Sequence, residues 1–384
     1  MKLLYFIPNL STAGGMERVL TKKVNYLAKT GNYNIFIITT DMNEWEAPFF
    51  ELDDSIKVFK FKLFFNELYG LNIFLKTLET YRLLRKYREM LEFFLNKEKI
   101  DFCISMGGKE LEFLYKISYP VKKIYEAHFS YGIRTRNLLQ NKSNSIFWKI
   151  IGIIREKQSL VQTKSLDKVV VLTEKSRVDW SKTNNNVVVI PNPSSISTSN
   201  CDYKYNPNSK RVIAVGRLEY EKGFDLLINA WVEVNKKHSD WKLDIYGEGT
   251  LRKELQELIN INNLNDNVNL CGLTNNVALE LSKSAFYVLS SRYEGLPMVM
   301  LESLTCGIPM VAFDCDTGPR DIIENSDCGF LARNEDVADL SKQIIKMINL
   351  GCKRFNLSQN CKNKSQLYSI DRVINIWVSL FNSL

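Results

Sequence analysis

The sequence predicts an α/β protein built from two doubly wound units, each a mostly parallel sheet with helices on both faces. Three observations lead there. Short apolar runs alternate with amphipathic stretches, the alternation stops at one Pro-rich segment, and beyond it the same pattern starts again. Taken in order, Lys2 to Pro8 (KLLYFIP) reads as a buried strand and Gly14-Gly15 supplies a turn. Met16 to Lys29 then sets Met16, Val19, Leu20, Val24 and Leu27 at helical spacing. Asn34 to Thr40, Asp101 to Met106, Lys123 to Glu126 and Val169 to Thr173 read as further strands, with a long helical stretch from Leu71 to Glu98 among them.

Val187 to Ile190 closes the first series, and Pro191-Asn192-Pro193 followed by Ser194 to Asn200 is the clearest linker in the chain. The expected domains are therefore 1–192 and 193–366, with a terminal segment 367–384 that ends in a helical stretch, IDRVINIWVSLFNSL. The second series runs strand Arg211 to Val215, helix Phe224 to Lys237, strand Lys242 to Tyr246, helix Leu251 to Ile261 and strand Asn267 to Cys271. It continues with strand Phe286 to Ser290, helix Pro297 to Cys306, strand Pro309 to Phe313 and helix Val337 to Leu350. Two such units facing across a cleft place chemistry in the loops after their strands, because ligands of open α/β sheets bind outside the strands' carboxyl ends.

Composition excludes several classes. The 384 residues are 45% hydrophobic and 24% charged, as in ordinary globular proteins. The N-terminus lacks the length and flanks of a signal peptide, and Lys and Arg interrupt every long apolar stretch, so a cytoplasmic chain without a membrane span is expected. Eight cysteines show no C-x-x-C pair, and only His128 and His238 accompany them, which points to reduced thiols and away from a zinc site. Residues 1–192 hold 30 Lys/Arg against 20 Asp/Glu, and the remainder 21 against 23. Within the basic half, Ile133 to Arg177 carries ten basic and three acidic residues interleaved with Ile146, Phe147, Trp148, Ile150, Ile151, Ile153 and Ile154. Apolar side chains beside the charge favour an anionic membrane surface over nucleic acid as a partner; a solvated basic helix packed by its apolar side fits the pattern equally.

Two stretches carry candidate chemistry. Gly216-Arg217 closes a strand and Glu221-Lys222-Gly223 opens the next helix, so a forked guanidinium and a compact ammonium converge beside a helix N-terminus, suited to a diphosphate. Glu294-Gly-Leu-Pro-Met-Val-Met-Leu-Glu302 follows strand Phe286 to Ser290. Its turn through Gly295, Leu296 and Met298 can bring free backbone N–H groups to an anion or a sugar hydroxyl, with Pro297 at the first helical position. Glu302 lies five residues into that helix, about 7–8 Å along the axis. With Met300 and Leu304 roughly opposite it on the wheel, its carboxylate is expected off the apolar side.

Taken together, G-G-M-E, G-R-L-E-Y-E-K-G, Y-G-E-G and E-G-L-P-M-V-M-L-E-S stand in the order seen in family 4 of the retaining glycosyltransferases, which this sequence resembles over nearly its whole length. The later FDCDTGPRDII stretch resembles members that build bacterial capsule, exopolysaccharide or lipopolysaccharide repeats. The resemblance implies the two-domain GT-B fold with Rossmann-like halves, and a C-terminal helix crossing back to the first. Arg217 and Lys222 would hold the diphosphate of a nucleotide sugar, a UDP-sugar above a GDP-sugar, with Gly216 at the start of their loop. Glu294 would hold the donor sugar and Glu302 the ribose. Gly15 would begin a helix whose N-terminus faces phosphates or acceptor, and His128 would lie near the reacting sugar. His128, Glu294, Arg217 and Lys222 are thus the catalytic candidates. The acceptor would be a saccharide, above all a lipid-linked one, and the site peripheral to the inner face of the cell membrane.

With two cations and helix N-termini at the leaving group, no metal or other cofactor is expected, and Asp314-Cys315-Asp316 is read as a chance match to a manganese-binding D-x-D. A nicotinamide or flavin oxidoreductase is disfavoured because the loop Pro8 to Gly15 lacks G-x-G-x-x-G. A sugar-nucleotide epimerase of the same build and a catalytically silent membrane-binding subunit are the remaining alternatives; an inactive copy has no physical reason to keep Arg217, Lys222, Glu294 and Glu302 together.

Overall fold

A computed structural model of the chain describes residues 1–132, 146–196, 204–323 and 327–384. Contacts divide it into two compact units: Met1–Pro191 with Val373–Leu384, and Asn192–Arg372.

The first unit is a seven-stranded parallel sheet in the order β3-β2-β1-β4-β5-β6-β7. Its strands are β1 (Lys2–Phe6), β2 (Asn34–Thr39), β3 (Lys57–Lys60), β4 (Phe102–Ser105), β5 (Lys122–Ala127), β6 (Lys168–Val171) and β7 (Val187–Val189). β1 pairs with β2 on one side and β4 on the other, Leu4 facing Phe36 and Cys103 across the two ladders. Leu4, Phe6, Phe36 and Ile38 point to one face, where helix α2 (Ile73–Glu98) buries Tyr87, Leu91, Phe94 and Leu95 against them. The opposite face is covered by α1 (Gly15–Lys29) and by the C-terminal part of the last helix, α12 (Ile370–Ser383). Trp377 and Phe381 of α12 are buried, and the Phe381 ring meets Phe102 of β4 at 5.0 Å and Tyr33 at 6.2 Å between centroids. The remaining helices of this unit are α3 (Ile146–Lys164) and α4 (Glu174–Ser181).

The second unit repeats the design with six parallel strands, β10-β9-β8-β11-β12-β13. These are β8 (Arg211–Val215), β9 (Lys242–Tyr246), β10 (Val268–Gly272), β11 (Phe286–Leu289), β12 (Met310–Asp314) and β13 (Gly329–Arg333). Their helices are α5 (Phe224–Lys237), α6 (Arg252–Ile261), α7 (Val277–Ser282), α8 (Met298–Cys306), α9 (Pro319–Ile323), α10 (Val337–Asn349) and α11 (Arg354–Ser365). One core joins Val212, Ala214, Leu243 and Ile245 of the sheet to Leu227, Trp231 and Val234 of α5 and Leu340, Ile344 and Met347 of α10.

The fold class is the expected one: two doubly wound parallel sheets. The sequence reading found neither β3 nor β13. Both are edge strands of four or five residues with mixed polarity, KVFK and GFLAR, and a search for buried apolar runs passes over such strands. It also passed over α4, α7, α9 and α11, which are short or, in the case of α11, of weak apolar periodicity. The free thiols of Cys103, Cys306, Cys315, Cys328 and Cys361 are buried, and those of Cys271 and Cys352 exposed. Residues 133–145 of the basic stretch and Cys201 lie outside the described residues. Among the described residues no helix is long and apolar enough to cross a membrane.

Candidate functional site: the β8/β11 crevice

In the second sheet β8 is followed by β9 on one side, and the chain later returns to lay β11 on the other. The loops leaving β8 and β11 therefore diverge at a topological switch point, where doubly wound sheets bind ligands. The loop after β8 holds Gly216, Arg217 and Lys222; the loop after β11 holds Glu294, Gly295 and Leu296. Lys222 Nζ donates to Glu294 Oε1 at 2.7 Å, and Ser291 Oγ donates to the same oxygen at 2.7 Å. Arg217 is largely exposed and holds Glu221 at 2.6 Å. Exposed pairs of this kind contribute only about 0.2–1 kcal/mol, so an arriving phosphate can take over the guanidinium at little cost.

What brings the two loops together is Arg292, which the sequence reading did not single out. Its buried guanidinium donates to both carboxylate oxygens of Asp225 at 2.9 and 2.6 Å and to the carbonyl of Tyr220, and it lies 4.0 Å from the centroid of the Tyr220 ring. Glu335 stands 3.3 Å from its Nε. The Arg292 amide also donates to Glu221 O, and Ser290 Oγ donates to Lys222 O. Gly223 completes the seam: its φ is +59°, and a β-carbon there would sit 2.2 Å from Ser290 O, so only glycine lets the turn rest on the end of β11. A lone arginine between a strand and an E-G-L-P turn gives no periodic signal; only its partners Tyr220 and Asp225, 72 and 67 residues back, disclose it.

A third loop, after β12, supports the turn from beneath. Thr317 Oγ1 donates to Glu294 O, and Gly318 packs, at φ +96°, where a β-carbon would meet Pro297 Cδ at 2.5 Å and Gly295 O at 2.9 Å. Asp314 of the D-x-D triplet is ion-paired with Arg320, and Cys315 is buried, its thiol pushed well up by burial. Among the described residues no group of three or more His, Cys, Asp or Glu side chains is arranged to hold a metal ion. The Y-G-E-G loop lies beside the first: Gly216 N donates to Tyr246 O and Leu218 N to Glu248 O, both at 2.9 Å.

Two expectations about α8 need correction. Pro297 stands at the N-cap, with the helix beginning at Met298. Glu302, expected off the apolar side, is buried, and Met300, Leu301, Ser303, Leu304, Thr305 and Cys306 are buried as well. The wheel separates Glu302 from Met300 and Leu304, yet the opposite side is met by the linker itself, where Ser195 Oγ donates to Glu302 Oε1. Met298 is half-buried and accepts a long contact from Asn192 Nδ2 at 3.6 Å, and Leu296 is buried. Lys222 and Glu294 are thus in contact, Arg217 is on the same loop as Lys222, and Glu302 belongs to the helix behind them.

In the first unit Gly15 is the first residue of α1, whose N-cap Gly14 offers no side-chain cap. His128 follows β5 directly and is buried, with Nε2 3.4 Å from Glu126 Oε1 and without a hydrogen bond in good geometry. Burial holds the imidazole below its ordinary pKa; the Glu126 charge opposes that and Lys23 adds to it. Lys23, on α1, is also buried and pairs with Glu126.

Residues 200–366 match the family described as glycosyl transferases group 1. Along 98% of both chains the protein is 29% identical to an uncharacterized glycosyltransferase of Haemophilus influenzae. It is 25% identical, over 99% of this chain and 98% of the relative, to the Campylobacter jejuni GalNAc-alpha-(1->4)-GalNAc-alpha-(1->3)-diNAcBac-PP-undecaprenol alpha-1,4-N-acetyl-D-galactosaminyltransferase. Its fold matches Staphylococcus aureus TarM, solved with fondaparinux, alpha-GlcNAc-glycerol and UDP, at a TM-score of 0.79 with 18% identity over 99% of each chain. The match to the group 1 glycosyl transferases thus spans most of the second unit. The family 4 resemblance is consistent with all of these matches.

Arg292→Met removes the clamp while keeping an apolar stem. With charge-assisted hydrogen bonds at about 1.5–3 kcal/mol, discounted for the half-exposed Asp225, the variant is expected to lose about 2 kcal/mol in urea unfolding. Unchanged stability would remove Arg292 from the account.

Proposed function

We propose that the protein is a retaining glycosyltransferase that moves a hexose or N-acetylhexosamine from a UDP-sugar to a lipid-linked saccharide during assembly of a bacterial surface polysaccharide, without a metal. The observation that carries this reading is the Lys222–Glu294 pair at the β8/β11 switch point, with Arg217 one loop residue from Gly216. Cleaving the bond between the anomeric carbon and the phosphate leaves two growing charges: negative on the diphosphate and positive on the sugar ring. Arg217 and Lys222 face the first as fixed donors, a form of stabilisation in which single groups contribute about 10²–10³ in rate. Transfer of Lys222 from Glu294 to the phosphate releases the carboxylate for the sugar hydroxyls, so donor binding exchanges one charge partner for another. In a retaining reaction the acceptor oxygen attacks from the face that the diphosphate leaves, and a diphosphate oxygen there takes the acceptor proton. Glu302, whose Oε1 accepts from Ser195, would hold the ribose, and His128 would lie near the reacting sugar.

The UDP preference draws on the UDP named in the TarM complex, and the lipid-linked acceptor on the undecaprenol named in the Campylobacter relative. A place on the inner, anionic face of a cell membrane fits the first unit's surface. On α2 and just before it, Leu71, Phe74, Leu75, Leu78 and Tyr81 are exposed near Lys76, Arg82 and Arg85, and on α3 Ile146, Ile150, Ile153, Ile154 and Val161 are exposed.

Donor hydrolysis and thermal stabilisation are expected with one UDP-sugar out of a panel of UDP-, GDP- and nicotinamide nucleotides, undiminished by EDTA. Arg217→Ala and Glu294→Ala should each lower turnover about 10²–10³-fold. A requirement for added manganese, or full activity in both variants, would contradict the assignment, and conversion of the sugar to its epimer would move it to the epimerase class. In sedimentation with vesicles, binding is expected to those containing phosphatidylglycerol, falling at high salt and in the Phe74→Ser/Leu78→Ser variant. Equal recovery with neutral vesicles would exclude the anionic membrane.

A further inference from the structure

The first sheet carries a second charged constellation, on the face covered by α1 and α12. β5 alternates so that Tyr125 and Ala127 enter the α2-side core, while Glu126 points to the other face. There Lys23 of α1 pairs with Glu126 Oε2, and Glu126 Oε1 lies 3.4 Å from His128 Nε2. All three side chains are buried. The ammonium is enclosed on its remaining sides by aromatic rings: Trp377 of α12 at 4.4 Å and Tyr5 of β1 at 5.0 Å from centroid to Nζ. Burying two charges costs several kcal/mol each before their attraction is counted, and a well-packed apolar pair is often as stable. Stability is therefore a weak reason for this pair to be here. Its position is a better one, since the carboxylate's second oxygen faces the one histidine at the end of a strand in this unit.

We propose that Lys23 and Glu126 are positioning residues for His128: the ammonium, under the Trp377 and Tyr5 rings, binds the carboxylate, whose second oxygen faces Nε2 and holds the imidazole in place, leaving the other ring nitrogen for a sugar hydroxyl. The proposal rests on the role given to His128 under the function proposed above, and adds to it a residue of α1 and a contact from the C-terminal helix. Charge decides the state of the imidazole. Among the described residues of this unit the charged and titratable groups facing it are Glu126 from β5, Lys23 from α1 and, behind them, the Tyr5 hydroxyl of β1; Trp377 from α12 carries none. Burial and Lys23 both push the imidazole toward the neutral form, and Glu126 alone draws a proton to it. Removing Lys23 leaves a buried carboxylate whose remaining proton partner is His128. Removing Glu126 leaves a buried cation beside it.

The two charges therefore act on His128 in opposite directions, which a purely structural pair would not do. The chain has only His128 and His238, so histidine-labelled protein gives two imidazole titrations by NMR, assigned with His128→Asn. In the wild type His128 is expected to titrate below an ordinary histidine. In Lys23→Met its midpoint should rise by at least about one pH unit and in Glu126→Gln it should fall, since a neighbouring charge at this range moves a titration by one to three units. Lys23→Arg should restore the wild-type curve. Glu126→Asp, which shortens the carboxylate's reach, should shift in the same direction as Gln and serves if the Gln variant does not fold. For the UDP-sugar that the wild type hydrolyses, the acidic limb of the pH profile should move up in Lys23→Met and down in Glu126→Gln. Midpoints for His128 that stay together in all variants would overturn the proposal even with an active enzyme. Opposite NMR shifts in a protein that turns over no sugar nucleotide would instead uphold the coupling and overturn the function.

Discussion

Everything at the candidate donor site follows from one constraint: a parallel sheet can be extended on only one side at a time. Having laid β9 and β10 to one side of β8, the chain must return over the sheet to place β11 on the other, and the loops leaving β8 and β11 then part company. Divergence exposes backbone N–H groups and opens room for a ligand, but it also removes the contacts that would fix the loops. Arg292 replaces them. Its ties to Asp225, to Tyr220 and to Glu221 through the backbone join the two loops, so that Lys222 and Glu294 meet although 72 residues separate them.

The two units use charge in opposite ways. At the β8/β11 crevice Lys222 and Glu294 are half-buried and Arg217 is exposed, so each can exchange its partner for a ligand's phosphate or hydroxyl. On the α1 face of the first sheet Lys23 and Glu126 are withdrawn from water, with Trp377 and Tyr5 over the ammonium. Burial fixes their geometry and strengthens their influence on His128, since low polarity weakens screening. One arrangement suits a substrate that arrives and leaves, the other a side chain that has to keep one protonation state. Because Trp377 belongs to the last helix, the setting of His128 also depends on the chain's final residues.

Much of this was legible in the sequence, for physical reasons. Buried parallel strands are continuous apolar runs, and glycine, proline and paired charges at the strand-to-helix turns marked Gly216 to Gly223 and Glu294 to Glu302. The edge strands β3 and β13 were not, because half-wet strands lack that run. Glu302 shows the limit of a helical wheel: it separates the sides of one helix but does not reveal that chain around Ser195 covers the second side. Arg292 and Lys23 were missed for a related reason. Each is a single charge whose meaning lies in a carboxylate distant along the chain, Asp225 for Arg292 and Glu126 for Lys23, and nothing local distinguishes it from a solvated side chain.

The central claim is that the crevice between the loops after β8 and β11 receives a nucleoside diphosphate and exchanges the Lys222–Glu294 contact for ligand contacts. A crystal structure of the protein grown with UDP and its donor sugar tests this most directly. The account predicts diphosphate oxygens within hydrogen-bond distance of Arg217 and Lys222, with the Glu294 carboxylate turned from Lys222 to the sugar hydroxyls. UDP bound at another sheet edge, or bound here with Lys222 and Glu294 still joined, would contradict it.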